Sequence, residues 1–82
     1  MSLYYFDLRV LDELSSDEEG TELVSMNDVQ DEAACALTDL LKEQIRASDG
    51  HPLARYLAIE VRDSDGPLLH ATFSFEVKRT IQ

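Results

Sequence analysis

The stretch SMNDVQDEAACALTDLLKEQIRASDG, residues 25–50, decides the fold. Val29, Ala33, Ala36, Leu37, Leu40, Leu41 and Ile45 recur at the i, i+3, i+4, i+7 spacing of one helical stripe. Gln30, Asp31, Thr38, Asp39, Lys42 and Arg46 occupy the remaining surface. Ser25 suits the N-cap, where its hydroxyl can accept from the Asp28 amide while the Asp28 carboxylate reaches back in an imperfect capping box. Val24 and Val29 stand at the hydrophobic-staple positions around that cap. The helix is expected to run to about Ala47 and stop at Ser48-Asp49-Gly50, with Pro52 beyond. Such a stripe needs an apolar surface to cover, and the flanking segments must supply it.

Residues 3–10 are aromatic and branched, as a strand requires. Tyr4, Phe6, Leu8 and Val10 fall on one face, and Leu3, Tyr5, Asp7 and Arg9 on the other. Residues 11–20 are polar and end in Gly20, which reads as a turn. Thr21-Glu22-Leu23-Val24 can form a short strand pairing back on the first. After the helix, residues 53–63 read as a strand with Leu57, Ile59 and Val61 on the core face, and Tyr56, Ala58, Glu60 and Arg62 opposite. Asp63-Ser64-Asp65-Gly66 is hairpin chemistry, and Pro67 stands at a strand start, where its missing N–H is tolerated. Leu69, Ala71, Phe73, Phe75 and Val77 then alternate with His70, Thr72, Ser74, Glu76 and Lys78 as a half-buried strand.

The sum is an α+β domain of order β-(β)-α-β-β, an antiparallel three- to four-stranded sheet with one α-helix packed on one face. Each large side chain buried between helix and sheet contributes about 1.5–3 kcal/mol before entropy is counted. Eighty-two residues form a single domain, 1–82, with a marginal core. A hydrophobic fraction of 44% argues against global disorder. The lone Cys35 excludes an intramolecular disulfide framework, so self-association is the expected supplement to stability. The uncovered sheet face, with Tyr5, Tyr56 and Ala58, is the expected homodimer surface. No secretory leader and no apolar run long enough for a membrane span can be read, so a cytoplasmic location away from membranes is expected.

Net charge is −10, from 17 acids against 7 bases, which disfavours nucleic-acid binding by repulsion of phosphates. The charge is segregated. Asp12, Glu13, Asp17, Glu18, Glu19, Glu22, Asp28, Asp31 and Glu32 lie in residues 12–32 without a Lys or Arg among them. An EF-hand needs ligands at loop positions 1, 3 and 5, glycine at 6 and glutamate at 12. Counting Gly20 as position 6 puts Ser15 first and Met26 twelfth; counting Asp63 as position 1 brings Gly66 two places early and puts Ser74 twelfth. Neither loop qualifies. Cys35, His51 and His70 have no zinc-ligand spacing, and Cys35 beside the apolar stripe reads as a small, semi-buried filler. Gly20, Gly50 and Gly66 are isolated turn residues rather than a phosphate loop, and nothing places a nucleophile beside a base. No catalytic residue, cofactor or metal is therefore expected. The expected interaction surface is Asp17, Glu18, Glu19 and Glu22, with Tyr5 and Tyr56. A basic protein is its expected partner.

Tyr4-Tyr5-Phe6-Asp7-Leu8-Arg9, then Asp17-Glu18-Glu19-Gly20-Thr21-Glu22-Leu23, a helix with Asp31-Glu32-Ala33 and Ala36-Leu37, and Ile59-Glu60-Val61-Arg62-Asp63 with Gly66 follow a familiar order. In that order the chain resembles a family of small acidic alphaproteobacterial proteins catalogued as a domain of unknown function. The resemblance spans nearly the whole chain and implies a fold without assigning catalytic residues. This chain departs from it at Val10-Leu11-Asp12, where many members carry a glycine-containing turn. A non-enzymatic interaction or regulatory module is the expected role, with a small-ligand site or active site between helix and sheet as the alternative.

Overall fold

The computed structural model describes residues 1–49, 53–78 and 80, and the side chains of all of these except Leu53 and Ala54. The order of elements is β1 (Ser2–Val10), β2 (Glu13–Ser15), β3 (Thr21–Leu23), α1 (Met26–Ala47), β4 (Leu53–Asp63) and β5 (Gly66–Val77). All pairings are antiparallel, and the sheet runs β2-β1-β4-β5, with β3 also paired to β1. The α+β expectation holds, with five strands in place of three or four.

The additional strand is β2, in the segment read from sequence as a turn. Val10 pairs with Glu13, so Leu11-Asp12 is a two-residue hairpin loop. Leu11 takes φ +54°, the left-handed range that favours glycine in two-residue hairpin loops. Glycine is the usual residue at that first position, and its absence hid the hairpin.

Ser25 caps α1 with extended backbone and accepts from the Asp28 amide at 3.2 Å. At the other end the Ser48 amide and hydroxyl both donate to the Ile45 carbonyl. Asp49 at φ +52° takes the left-handed turn out of the helix. The expected stop residues Gly50 and Pro52 lie outside the described residues. Val29, Ala33 and Leu40 are buried against Phe6, Leu57, Ile59 and Val61, and Tyr4, Leu8, Val10, Leu37 and Phe75 pack around them.

Four expected packing positions are corrected. Val24 is 73% exposed, so no staple closes over the cap. Ile45 is 50% exposed, since the stripe drifts off the sheet in the last turn and half-buried Gln44 takes the inward place, within hydrogen-bonding reach of Arg55. Phe73 is 39% exposed because β5 is the edge strand and α1 lies mainly on β4; its ring meets Phe75 edge-on at 5.5 Å. Cys35, expected to be semi-buried, is exposed. None of the described helices is long and apolar enough to cross a membrane.

A non-glycine residue held in the left-handed region costs roughly 1–2 kcal/mol. Leu11→Gly is expected to recover about 1 kcal/mol of that, offset by glycine's greater entropy in the unfolded chain. Urea unfolding checks it: the midpoint should rise with unchanged slope.

Candidate functional site

β2 and β3 share one edge of β1 but leave a gap between them. β2 pairs with Leu8 to Val10 and β3 with Ser2 to Tyr4, so the edge at residues 5–7 has no strand beside it. The acidic run fills that gap. Asp17 Oδ2 accepts from the Phe6 amide at 3.1 Å, where a strand carbonyl would otherwise stand. Its Oδ1 accepts from the amides of Glu19 (3.1 Å) and Gly20 (3.2 Å), which folds Asp17-Glu18-Glu19-Gly20 into a tight turn. Gly20 has φ +78°, and a Cβ there would come within 2.9 Å of the Leu3 side chain and 3.1 Å of the Tyr5 ring. Glycine is required on both counts.

A second carboxylate locks the loop to the sheet. Asp7 is 6% exposed and accepts from the Asp17 amide at 2.9 Å. It also accepts from Arg62 Nε at 2.9 Å. Arg62 Nη2 donates to the Asp17 carbonyl at 3.0 Å, and the guanidinium lies 4.5 Å from the centroid of the Tyr5 ring. Tyr5 pairs with Arg62 in the β1–β4 register, which puts both side chains on the face away from α1. The hydrogen bond to Asp7 holds Arg62 more firmly protonated than a free guanidinium. Partial burial pulls the Asp17 carboxyl upward. The Phe6, Gly20 and Glu19 amides and the charge of Arg62 outweigh it, and the group ends below its ordinary value.

The six residues expected to form one interaction surface therefore separate. Asp17 is an internal fastener. Glu18 and Glu19, on the turn it fastens, and Glu22, opposite Leu3 on β3, are exposed; Tyr5 lies beneath this loop. Tyr56 is elsewhere: six residues along β4 from Arg62, about 20 Å at the strand rise. It is 39% exposed and lines a shallow depression of about 530 Å³ on the open sheet face, with Asp7, Ala58, Glu60, Arg62 and His70. Ala58, expected on an exposed dimer surface, is 1% exposed among its larger neighbours. Arg9 pairs with Glu60 on this face, and His70 stands opposite Glu60 on β5.

Among the described residues no three His, Cys, Asp or Glu side chains are grouped to hold a metal ion. His51, one of the weighed ligands, lies outside the described residues. Asp63 fastens its own turn through the Asp65 amide at 2.8 Å. The Asp7–Arg62 pair escaped the sequence reading; its only trace there was an acid amid the aromatic residues of β1, on the face of Tyr5 and Arg9.

One helix over an antiparallel sheet, with an acidic turn fastened to the first strand, defines a small two-layer α+β domain. The chain belongs to the family described as Domain of unknown function (DUF6894), whose model matches residues 3–74. No curated protein and no solved structure matches it.

The Asp17 fastener has a pH signature. A carboxyl whose folded pKa is depressed stabilises the fold above its unfolded value, and that contribution is lost as pH falls through the folded value. Acid unfolding followed by circular dichroism should therefore steepen below about pH 4. Asp17→Asn puts an amide NH₂ where one of two acceptors stood. It should lose about 1–3 kcal/mol at neutral pH and flatten that part of the acid limb.

Proposed function

We propose that this chain is a cytoplasmic, non-enzymatic interaction module that presents its acidic turn to a basic segment of another protein. The observation that carries the reading is the division of labour within Asp17-Glu18-Glu19-Gly20. Asp17 and Gly20 are consumed in fastening the turn, whereas Glu18 and Glu19 project from it, exposed. A fixed turn holds its charges in place with little entropy left to lose on docking. The nine acids of residues 12–32, with no base among them, give the region a negative potential that steers a cationic partner. Nucleic acid is disfavoured as the partner by the same charge.

Glu18→Lys/Glu19→Lys leaves the Asp17 contacts in place and should retain the native melting temperature. Comparative affinity capture with wild-type and variant protein checks the reading. The wild type should retain basic partners, released by added salt, that the variant loses. Recovery of the same partners by both proteins would overturn it.

A second reading, as a small-ligand protein or enzyme, is favoured by the depression over Ala58, Glu60 and His70. It moves the alternative site from between helix and sheet, where Val29, Leu57 and Ile59 are fully buried in the core, to the open face. A ligand for the folded state raises the melting temperature in proportion to its occupancy. A thermal-shift screen of metals and metabolites should show a rise that Glu60→Ala/His70→Ala abolishes; a flat screen counts against this reading.

A further inference from the structure

β5 is the outermost strand of the sheet, and among the described residues nothing pairs with its outer edge. Long edge strands are normally guarded by lysines, prolines or inward charges. Pro67 and Lys78 stand at the two ends of this one, and between them, from Leu68 to Val77, it carries no proline and a single formal charge, Glu76, in a chain where 24 of 82 residues (17 acids and 7 bases) are charged. The side chains along it include large apolar groups left in solvent: Leu68 at 40%, Phe73 at 39% and Val77 at 53% exposed. Phe73 and Val77 point to the side of the sheet that α1 covers, beyond the reach of the helix.

We propose that β5 pairs antiparallel with β5 of a second copy of this chain, about a two-fold axis perpendicular to the sheet at Phe73. An axis of that kind keeps both helices on one side and sets residues of the same face opposite each other. Centred on Phe73, it brings Phe73 against its own counterpart, Leu69 against Val77 and Ala71 against Phe75, so the apolar strip beyond α1 becomes continuous across the dimer. On the open face it sets Thr72 against Ser74, His70 against Glu76 and Leu68 against Lys78. A polar donor and acceptor meet in this register. Glu76, 3.5 Å from Lys78 in its own chain, receives the His70 imidazole from across the axis. Moving the axis one step toward Ser74 would oppose His70 to Lys78, and one step toward Thr72 would oppose Leu68 to Glu76. A ladder over these residues forms on the order of ten backbone hydrogen bonds.

This contact is distinct from the open-face dimer expected from sequence. The charged side chains of that face, Asp7 with Arg62 and Arg9 with Glu60, are already paired within the chain and would have to be dehydrated to be covered. It is also independent of the acidic turn, which lies at the opposite edge of the sheet.

Sedimentation equilibrium on the wild-type chain should give twice the 9.3 kDa chain mass. Phe73→Lys places a guarding charge on the axis and should sediment at one chain mass, with a native circular dichroism spectrum. Glu76→Lys changes an exposed side chain, removes the acceptor that faces His70 across the axis and stands beside Lys78 with a like charge; it should raise the dissociation constant about tenfold or more. A wild-type protein of single-chain mass overturns the proposal, as does a dimer whose affinity either variant leaves unchanged.

Discussion

The hydrogen bond from the Phe6 amide to the Asp17 carboxylate is the constraint on which the rest of this fold turns. β1 is flanked on one edge by β4 and on the other by two three-residue strands that cannot meet. A backbone amide facing that gap would be left to water beside a core residue, and unsatisfied amides near the interior are costly. One side chain supplies the missing acceptor and at the same time closes its own turn through Glu19 and Gly20. The chain is thereby returned from β2 to β3 in register, and β3 delivers Ser25 to the start of α1. Arg62 reaches the same place from β4 through Asp7 and the Asp17 carbonyl, so helix entry, edge turn and the central strand pair are mechanically joined.

That geometry also accounts for part of the acidity of residues 12–32. Asp17 is structural, and Asp28 sits in the first turn of α1, where negative charge complements the helix dipole. Glu18, Glu19 and Glu22 have no such duty and remain at the surface. The opposite edge of the sheet is nearly free of charge along β5. One small domain thus has a negative edge and an apolar edge on either side of a common core, each suited to a different kind of contact.

Much of the fold was legible because its periodicities are strong. The stripe from Val29 to Leu41 and the alternation of Leu57, Ile59 and Val61 specify a helix lying on a strand, and all three strand residues are buried. Legibility failed where the local signal was missing or the decisive contact was distant. The β1–β2 hairpin turns on Leu11 where glycine is the recognisable residue. Phe73 alternates like a core residue, but its burial depends on how far a helix extends sideways, which alternation does not encode. As for the site, the acidic turn was recognised as a turn, and Glu18, Glu19 and Glu22 are at the surface as expected. Asp17 was grouped with them because its partners, Phe6 and Arg62, lie 11 and 45 residues away. Tyr56 shares a sheet face with Tyr5 yet stands toward its other end, a separation that follows from register rather than from residue type.

The insertion of α1 between β3 and β4 has a consequence for how the chain reaches this state. The two hairpins and the helix are local, but β1 meets β4 only across the intervening sequence, with Asp7 and Arg62 separated by 55 residues. Closing a loop of that length costs about 3.5 kcal/mol of chain entropy beyond a constant, more than any local step in the fold. Contacts of that span slow folding, since the entropy is lost before the pairing is gained. Arg62 can join Asp7 and the acidic turn only after that closure. That last clamp therefore waits on the pairing of β1 with β4, whereas the turn's own bonds from Asp17 to Phe6, Glu19 and Gly20 need no part of β4.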